Sequence, residues 1–86
     1  MGAYKVLVVG GGGREHSLCL ALNNSVMVAE LYCAPGNAGT ASIANNVDIS
    51  PTDVEALVEF CIDSNIEMVV VGPEAPLCKS LADRLI

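Results

Sequence analysis

The chain has no tryptophan, one phenylalanine and two tyrosines among 86 residues, so aliphatic side chains must fill its interior. Basic residues are scarce as well: four Lys and Arg stand against ten Asp and Glu, giving a net charge of −6 at pH 7. Nucleic-acid binding needs a basic footprint to meet phosphates, and this balance excludes that class of partner. Uninterrupted apolar runs are only a few residues long, such as Met68 to Val71, too short for a transmembrane helix, so no membrane partner is expected. No charged n-region with a long apolar h-region marks a signal peptide. The four cysteines (Cys19, Cys33, Cys61 and Cys78) include no CxxC pair, and His16 is the single histidine. No metal site is therefore expected, and the cysteines read as buried free thiols of a reducing cytosol.

What the chain does have is apolar side chains, 52% of its residues, in a length that makes one small domain. Helix and strand patterns alternate along it. Tyr4–Val9 is a short apolar run of the kind found in a central parallel strand buried on both faces. A helix is expected over Arg14–Leu22, with Leu18 and Leu22 one turn apart, stopping at Asn23-Asn24-Ser25. A second strand lies within Met27–Ala34 and a short third near Asn46–Ile49. Val54, Leu57, Val58, Cys61 and Ile62 make one continuous helical face. Ser50-Pro51 or Thr52-x-x-Glu55 is the capping signal before it. Met68–Val71 forms another buried strand, and a third helix with Leu77, Leu81 and Leu85 on one stripe starts around Pro76. The acids Asp53, Glu55, Glu59 and Asp63 fall on helix faces as a solvated surface.

This order predicts an α/β fold, an open parallel sheet with helices on both faces and right-handed crossovers. The loops Gly10–His16, Pro35–Thr40 and Gly72–Pro76 each follow a strand, so they converge on the carboxyl rim where ligands of such sheets bind. The first is the most informative. Four glycines, Gly10 to Gly13, turn a strand into a helix, where backbone N–H groups and the helix dipole suit an anion such as a phosphate. Arg14 adds a permanently charged planar donor.

A dinucleotide is the obvious candidate ligand, since Gly10-x-Gly12 opens a GxGxxG pattern. Glu15, however, stands where that fingerprint wants a small residue, and the second strand ends at Ala34-Pro35 without the acid that would hold a ribose. The dinucleotide module of an oxidoreductase remains the alternative, beside a non-catalytic assembly domain. His16 is either an acid, base or second phosphate donor, or a ring that caps and packs locally. Glu74, on a stiff segment between Pro73 and Pro76, either accepts from a sugar hydroxyl or amine or packs on a neighbouring loop. Asn37 and Thr40 are natural turn formers.

The motifs GGGGREH, APGNAGT and VVVGPEAPL, in this order and spacing, resemble the amino-terminal domain of the glycinamide ribonucleotide synthetase (phosphoribosylamine–glycine ligase) family. The resemblance runs from Lys5 to about Leu77, and that family usually carries Asn or Ser where this chain has Gly11. It implies a pre-ATP-grasp, Rossmann-like half domain over residues 1–86, part of a longer cytosolic ligase of purine biosynthesis. ATP would activate glycine as an acyl phosphate, and the amine of phosphoribosylamine would take the glycyl group, with magnesium assisting. By the same resemblance, ATP and Mg2+ belong to downstream ATP-grasp domains of the same polypeptide and neither binds these residues alone. In some eukaryotes the ligase is one part of a multifunctional polypeptide. An N-terminal domain of another ATP-grasp enzyme is a close neighbour of this reading. The site residues it implies are Gly11, Gly12, Gly13, Arg14, Glu15, His16, Pro35, Asn37, Gly39, Thr40, Pro73 and Glu74, all contacting substrate and none catalytic or metal-binding.

Overall fold

The computed structural model describes residues 4–71. Strand β1 (Tyr4–Gly10) leads into helix α1 (Gly13–Asn23), strand β2 (Val28–Pro35) and a 3₁₀ turn (Thr40–Ser42). Strand β3 (Asn45–Asn46), helix α2 (Val54–Asp63) and strand β4 (Met68–Val71) follow. The four strands form one sheet in the order β3-β2-β1-β4, and every pairing is parallel. The strand order reverses beside β1, between its neighbours β2 and β4, so the switch point of the sheet lies where β1 delivers the glycine run. The third expected helix, its stripe of Leu77, Leu81 and Leu85, and Cys78 lie outside the described residues.

The continuous apolar run of β1 is explained by its place. It is flanked on both edges and covered on both faces, and Val6, Leu7, Val8 and Val9 are all fully buried. Leu7 and Val9 face α2, packing with Leu57, Cys61 and Ala34. Val6 and Val8 face the other way, toward Cys19, Leu31 and Cys33, with Leu18 and Leu22 of α1 alongside. One helix covers each face, as the alternation of patterns predicts. Tyr32 and Phe60 meet edge to face, ring centroids 5.3 Å apart at 73°, joining β2 to α2.

Local details differ from the sequence reading. Helix α1 extends one residue beyond Arg14–Leu22 at each end. Strand β4, expected buried, has Met68 exposed and its valines half-buried. The cap of α2 is Asp53, whose carboxylate accepts the Ala56 N–H at 3.1 Å, and neither Ser50-Pro51 nor Thr52 takes that role. Ser50 and Thr52 are tied to each other in the preceding turn, Oγ to Oγ1 at 2.8 Å, which leaves the residue directly before the helix to satisfy its first turn. Strand β3 is two residues long and starts at Asn45. The chain leaves the ladder once Val47 N–H has reached the Cys33 carbonyl. Strand β2 runs one residue later at each end than Met27–Ala34, because Pro35 still pairs with Gly10.

Cys19, Cys33 and Cys61 are free and buried. Burial pushes all three thiols up from their ordinary value, and Cys33, with Cys19 beside it, reaches about 12. They keep their protons and are unreactive core groups rather than nucleophiles. Among the described residues no helix is long and apolar enough to cross a membrane.

Candidate functional site

The carboxyl ends of β1 and β2 lie side by side, so the loops that follow them meet. The junction starts at Gly10, whose φ of +133° is a region L side chains rarely adopt. A Cβ there would sit 2.6 Å from Cδ of Glu15. The space Gly10 leaves empty is the space Glu15 fills. Glu15 is 3% exposed, and its Oε1 accepts the Gly12 N–H at 2.9 Å. Its other oxygen, Oε2, is buried and has no hydrogen-bond partner. Glu15 therefore closes the strand-to-helix turn from inside, as the N3 half of a capping box over Gly12, the N-cap residue.

This arrangement changes the detail of the anion cradle. The Gly12 N–H is occupied by Glu15, so the amides left for a ligand begin one residue later. The N–H groups of Gly13 and Glu15 have no carbonyl within the helix to receive them. Helix α1 starts at Gly13, where a Cβ would meet nothing within 4 Å. Among the described glycines, positive φ occurs at Gly10 and Gly36 and not at Gly13. Arg14 is exposed in the first turn. A groove of about 480 Å³ runs from Gly13 and Arg14 along Ser17, Leu18 and Ala21.

The second loop is fastened to the first. Gly36 N–H donates to the Gly10 carbonyl at 3.2 Å, and Asn37 Nδ2 donates to the Gly11 and Gly12 carbonyls at 2.8 and 3.3 Å. Cys33 Sγ donates to the Gly10 carbonyl from below at 3.3 Å. A Cβ on Gly11 would lie 2.8 Å from the Gly36 carbonyl. Any side chain at this position would require the two loops to sit farther apart. The His16 ring lies against Gly39, where a Cβ would come within 2.8 Å of Cε1 and 2.9 Å of Nδ1. His16 thus sits between the two loops.

Within the second loop Thr40 is fully buried. Its Oγ1 accepts the Asn37 N–H at 2.8 Å, and Asn37 Oδ1 accepts the Thr40 N–H at 3.0 Å. Thr40 shapes the loop from within. Pro35, which ends β2, is half-buried at the base of the loop.

Of the twelve residues singled out from the sequence, Gly11, Gly12, Gly13, Arg14, Glu15, His16, Pro35, Asn37, Gly39 and Thr40 come together on this rim. Pro73 and Glu74 lie outside the described residues, although β4 ends at Val71 beside Val9, on the same rim. Among the described residues no group of three or more His, Cys, Asp or Glu side chains could hold a metal ion.

Residues 4–86 match the protein family described as phosphoribosylglycinamide synthetase, N domain. The chain belongs to this family. It is 48% identical over 85 residues to a phosphoribosylamine–glycine ligase of Rhodopirellula baltica, covering 99% of this chain and 20% of that protein. It is 49% identical over 80 residues to the protein of the same name from Caldanaerobacter subterraneus, covering 93% and 19%. A trifunctional purine biosynthetic protein of Bos taurus is 51% identical over 85 residues, which are 96% of this chain and 8% of that protein. The chain spans about a fifth of the two bacterial relatives, both of which extend well beyond the matched part.

Proposed function

We propose that this chain is the amino-terminal, substrate-binding domain of a phosphoribosylamine–glycine ligase, the ATP-dependent enzyme that joins glycine to 5-phosphoribosylamine in purine biosynthesis. In the reaction, the glycine carboxylate takes the terminal phosphoryl group of ATP, ADP leaves, and the sugar amine attacks the acyl phosphate to form the amide and release phosphate. Residues 4–71 take no covalent part in these steps. Their role is to hold the phosphorylated sugar amine, while ATP and Mg2+ are held by later ATP-grasp domains of the same polypeptide. A cytosolic location goes with this reading, in keeping with three buried free thiols.

The observation that carries the reading is the union of the two motif loops. Asn37 of the APGNAGT segment donates to Gly11 and Gly12 of the GGGGREH segment, which puts Arg14 and the start of α1 next to a polar rim at the switch point. Anions bind at helix N-termini for the reasons of charge and unpaired donors already described. Asn37, Gly39 and His16 border the same place, and Pro73 and Glu74 are expected there from the resemblance alone.

In a full-length ligase carrying this domain, ADP release should require both glycine and phosphoribosylamine, and residues 1–86 alone should release none. Arg14→Ala should raise KM for phosphoribosylamine roughly tenfold to a hundredfold, the equivalent of a charge-assisted contact worth about 1.5–3 kcal/mol. KM for ATP should change little. Equal losses for both substrates, or no loss, would place the phosphate elsewhere.

A further inference from the structure

Asn46, expected from the sequence only as the start of a short third strand, has a specific task in the structure. Its residue as a whole is exposed, yet both ends of its amide point into the second rim loop. Nδ2 donates to the Asn37 carbonyl at 2.9 Å, and Oδ1 accepts from the Thr40 hydroxyl at 2.7 Å. The hydroxyl has one proton and two acceptors in range, Asn46 Oδ1 and the Asn37 carbonyl at 3.0 Å. The shorter contact takes the proton, and the carbonyl is served by Asn46 Nδ2 instead. The amide cannot be turned over without setting two oxygens against each other at the Asn37 carbonyl, so its orientation is fixed by its partners.

Close packing enforces the same placement. Gly36 has φ +73°, and a Cβ on it would lie 2.5 Å from Cγ of Asn46 and 2.7 Å from Oγ1 of Thr40. The backbone of the loop therefore rests directly on the Asn46 amide. From there the bonds continue without a gap. Asn46 holds Asn37 and Thr40, Asn37 holds Gly11 and Gly12, and Gly12 N–H is held by Glu15. Asn46 itself is held on the sheet by the pairing of β3 with Cys33 of β2.

We infer that Asn46 is a positioning residue for the rim site, the anchor from which one hydrogen-bonded chain sets the distance between the second loop and the glycine turn. It touches no substrate in this account and acts through Asn37 and Thr40. The inference about substrate rests on the proposed ligase reading, while the inference about loop order stands apart from it.

Two measurements on a full-length ligase carrying this domain separate them. Hydrogen exchange of the ligand-free enzyme should show faster exchange over residues 36–41 and 11–13 in Asn46→Ala, with the amides of α2 unchanged. Unchanged exchange in both loops, or faster exchange throughout the domain, overturns the anchor. In steady-state kinetics Asn46→Ala should raise KM for phosphoribosylamine at least about tenfold, with kcat and KM for ATP within about twofold of the parent. Asn46→Gln, whose amide sits one methylene too far out, should fail to restore it. Combined with Thr40→Val, the loss should be clearly less than the product of the single losses, because both substitutions cut the same chain. Strict multiplication of the two effects, or a parallel loss of kcat and both KM values, contradicts the positioning role. A parent enzyme that ignores phosphoribosylamine defeats the ligase reading alone, and the exchange measurement still decides the anchor.

Discussion

Gly10→Ala is expected to remove a large share of the stability of the fold, even though it adds a single methyl group. The backbone at this position has φ +133°, where an L residue is strained by about 1–3 kcal/mol. The new Cβ also collides with the Glu15 side chain, and relief there means moving a buried carboxylate off the Gly12 N–H. Losing that bond and exposing the mismatch adds about 1–3 kcal/mol. The sum is on the order of 2–6 kcal/mol against a total stability that for small domains lies near the low end of about 5–15 kcal/mol. Urea titration of the wild-type and variant proteins should show the midpoint falling steeply. A midpoint within experimental error of the wild type would mean that the turn is not built around the Gly10–Glu15 contact.

Gly13→Val should do the reverse, sparing the fold and harming the site. Gly13 is the first residue of α1, and a Cβ on it meets nothing within 4 Å. The folded chain has room for the side chain and incurs only a helix-propensity difference of a few tenths of a kcal/mol. In the proposed site, that same open space is where the first available amide of the helix would face the phosphate. A branched side chain there should lower phosphoribosylamine use in the complete enzyme by at least about tenfold, or on the order of 1.4 kcal/mol. Tm should stay within about 4 °C. Full activity in Gly13→Val would mean that no phosphate approaches this backbone.

The two glycines look alike in the sequence, and the opposite surroundings of Gly10 and Gly13 mark where sequence reasoning stops. The apolar run Val6–Val9 and the pair Leu57 and Cys61 report burial directly, so the parallel sheet and its two covering helices were legible. Met68 and Ile62, also expected inside, are exposed, and Val69 to Val71 are only half-buried. Element ends were less so, because Asp53, Ser50 and Thr52 are all capable caps and only the geometry of the turn decides among them. The rim was legible as motif-bearing loops after strands. Their union was not, since Asn37 reaches Gly11 across 26 residues and no periodicity encodes such a contact. Glu15 was read both as an obstacle to a dinucleotide turn and as a substrate contact, and its place under the turn became visible only with the hollow over Gly10. Asn46 carries no motif, and the sequence placed it only at the start of a short third strand.

The central claim is that the joined loops hold the phosphorylated sugar amine. Hydrogen–deuterium exchange of a full-length ligase carrying this domain, with and without the stable product glycinamide ribonucleotide, tests it most directly. Saturating product should slow exchange in peptides spanning residues 10–18 and 35–41, and ATP alone should leave those peptides unchanged. Protection of these peptides by ATP alone, or protection by product confined to other parts of the enzyme, would contradict the account.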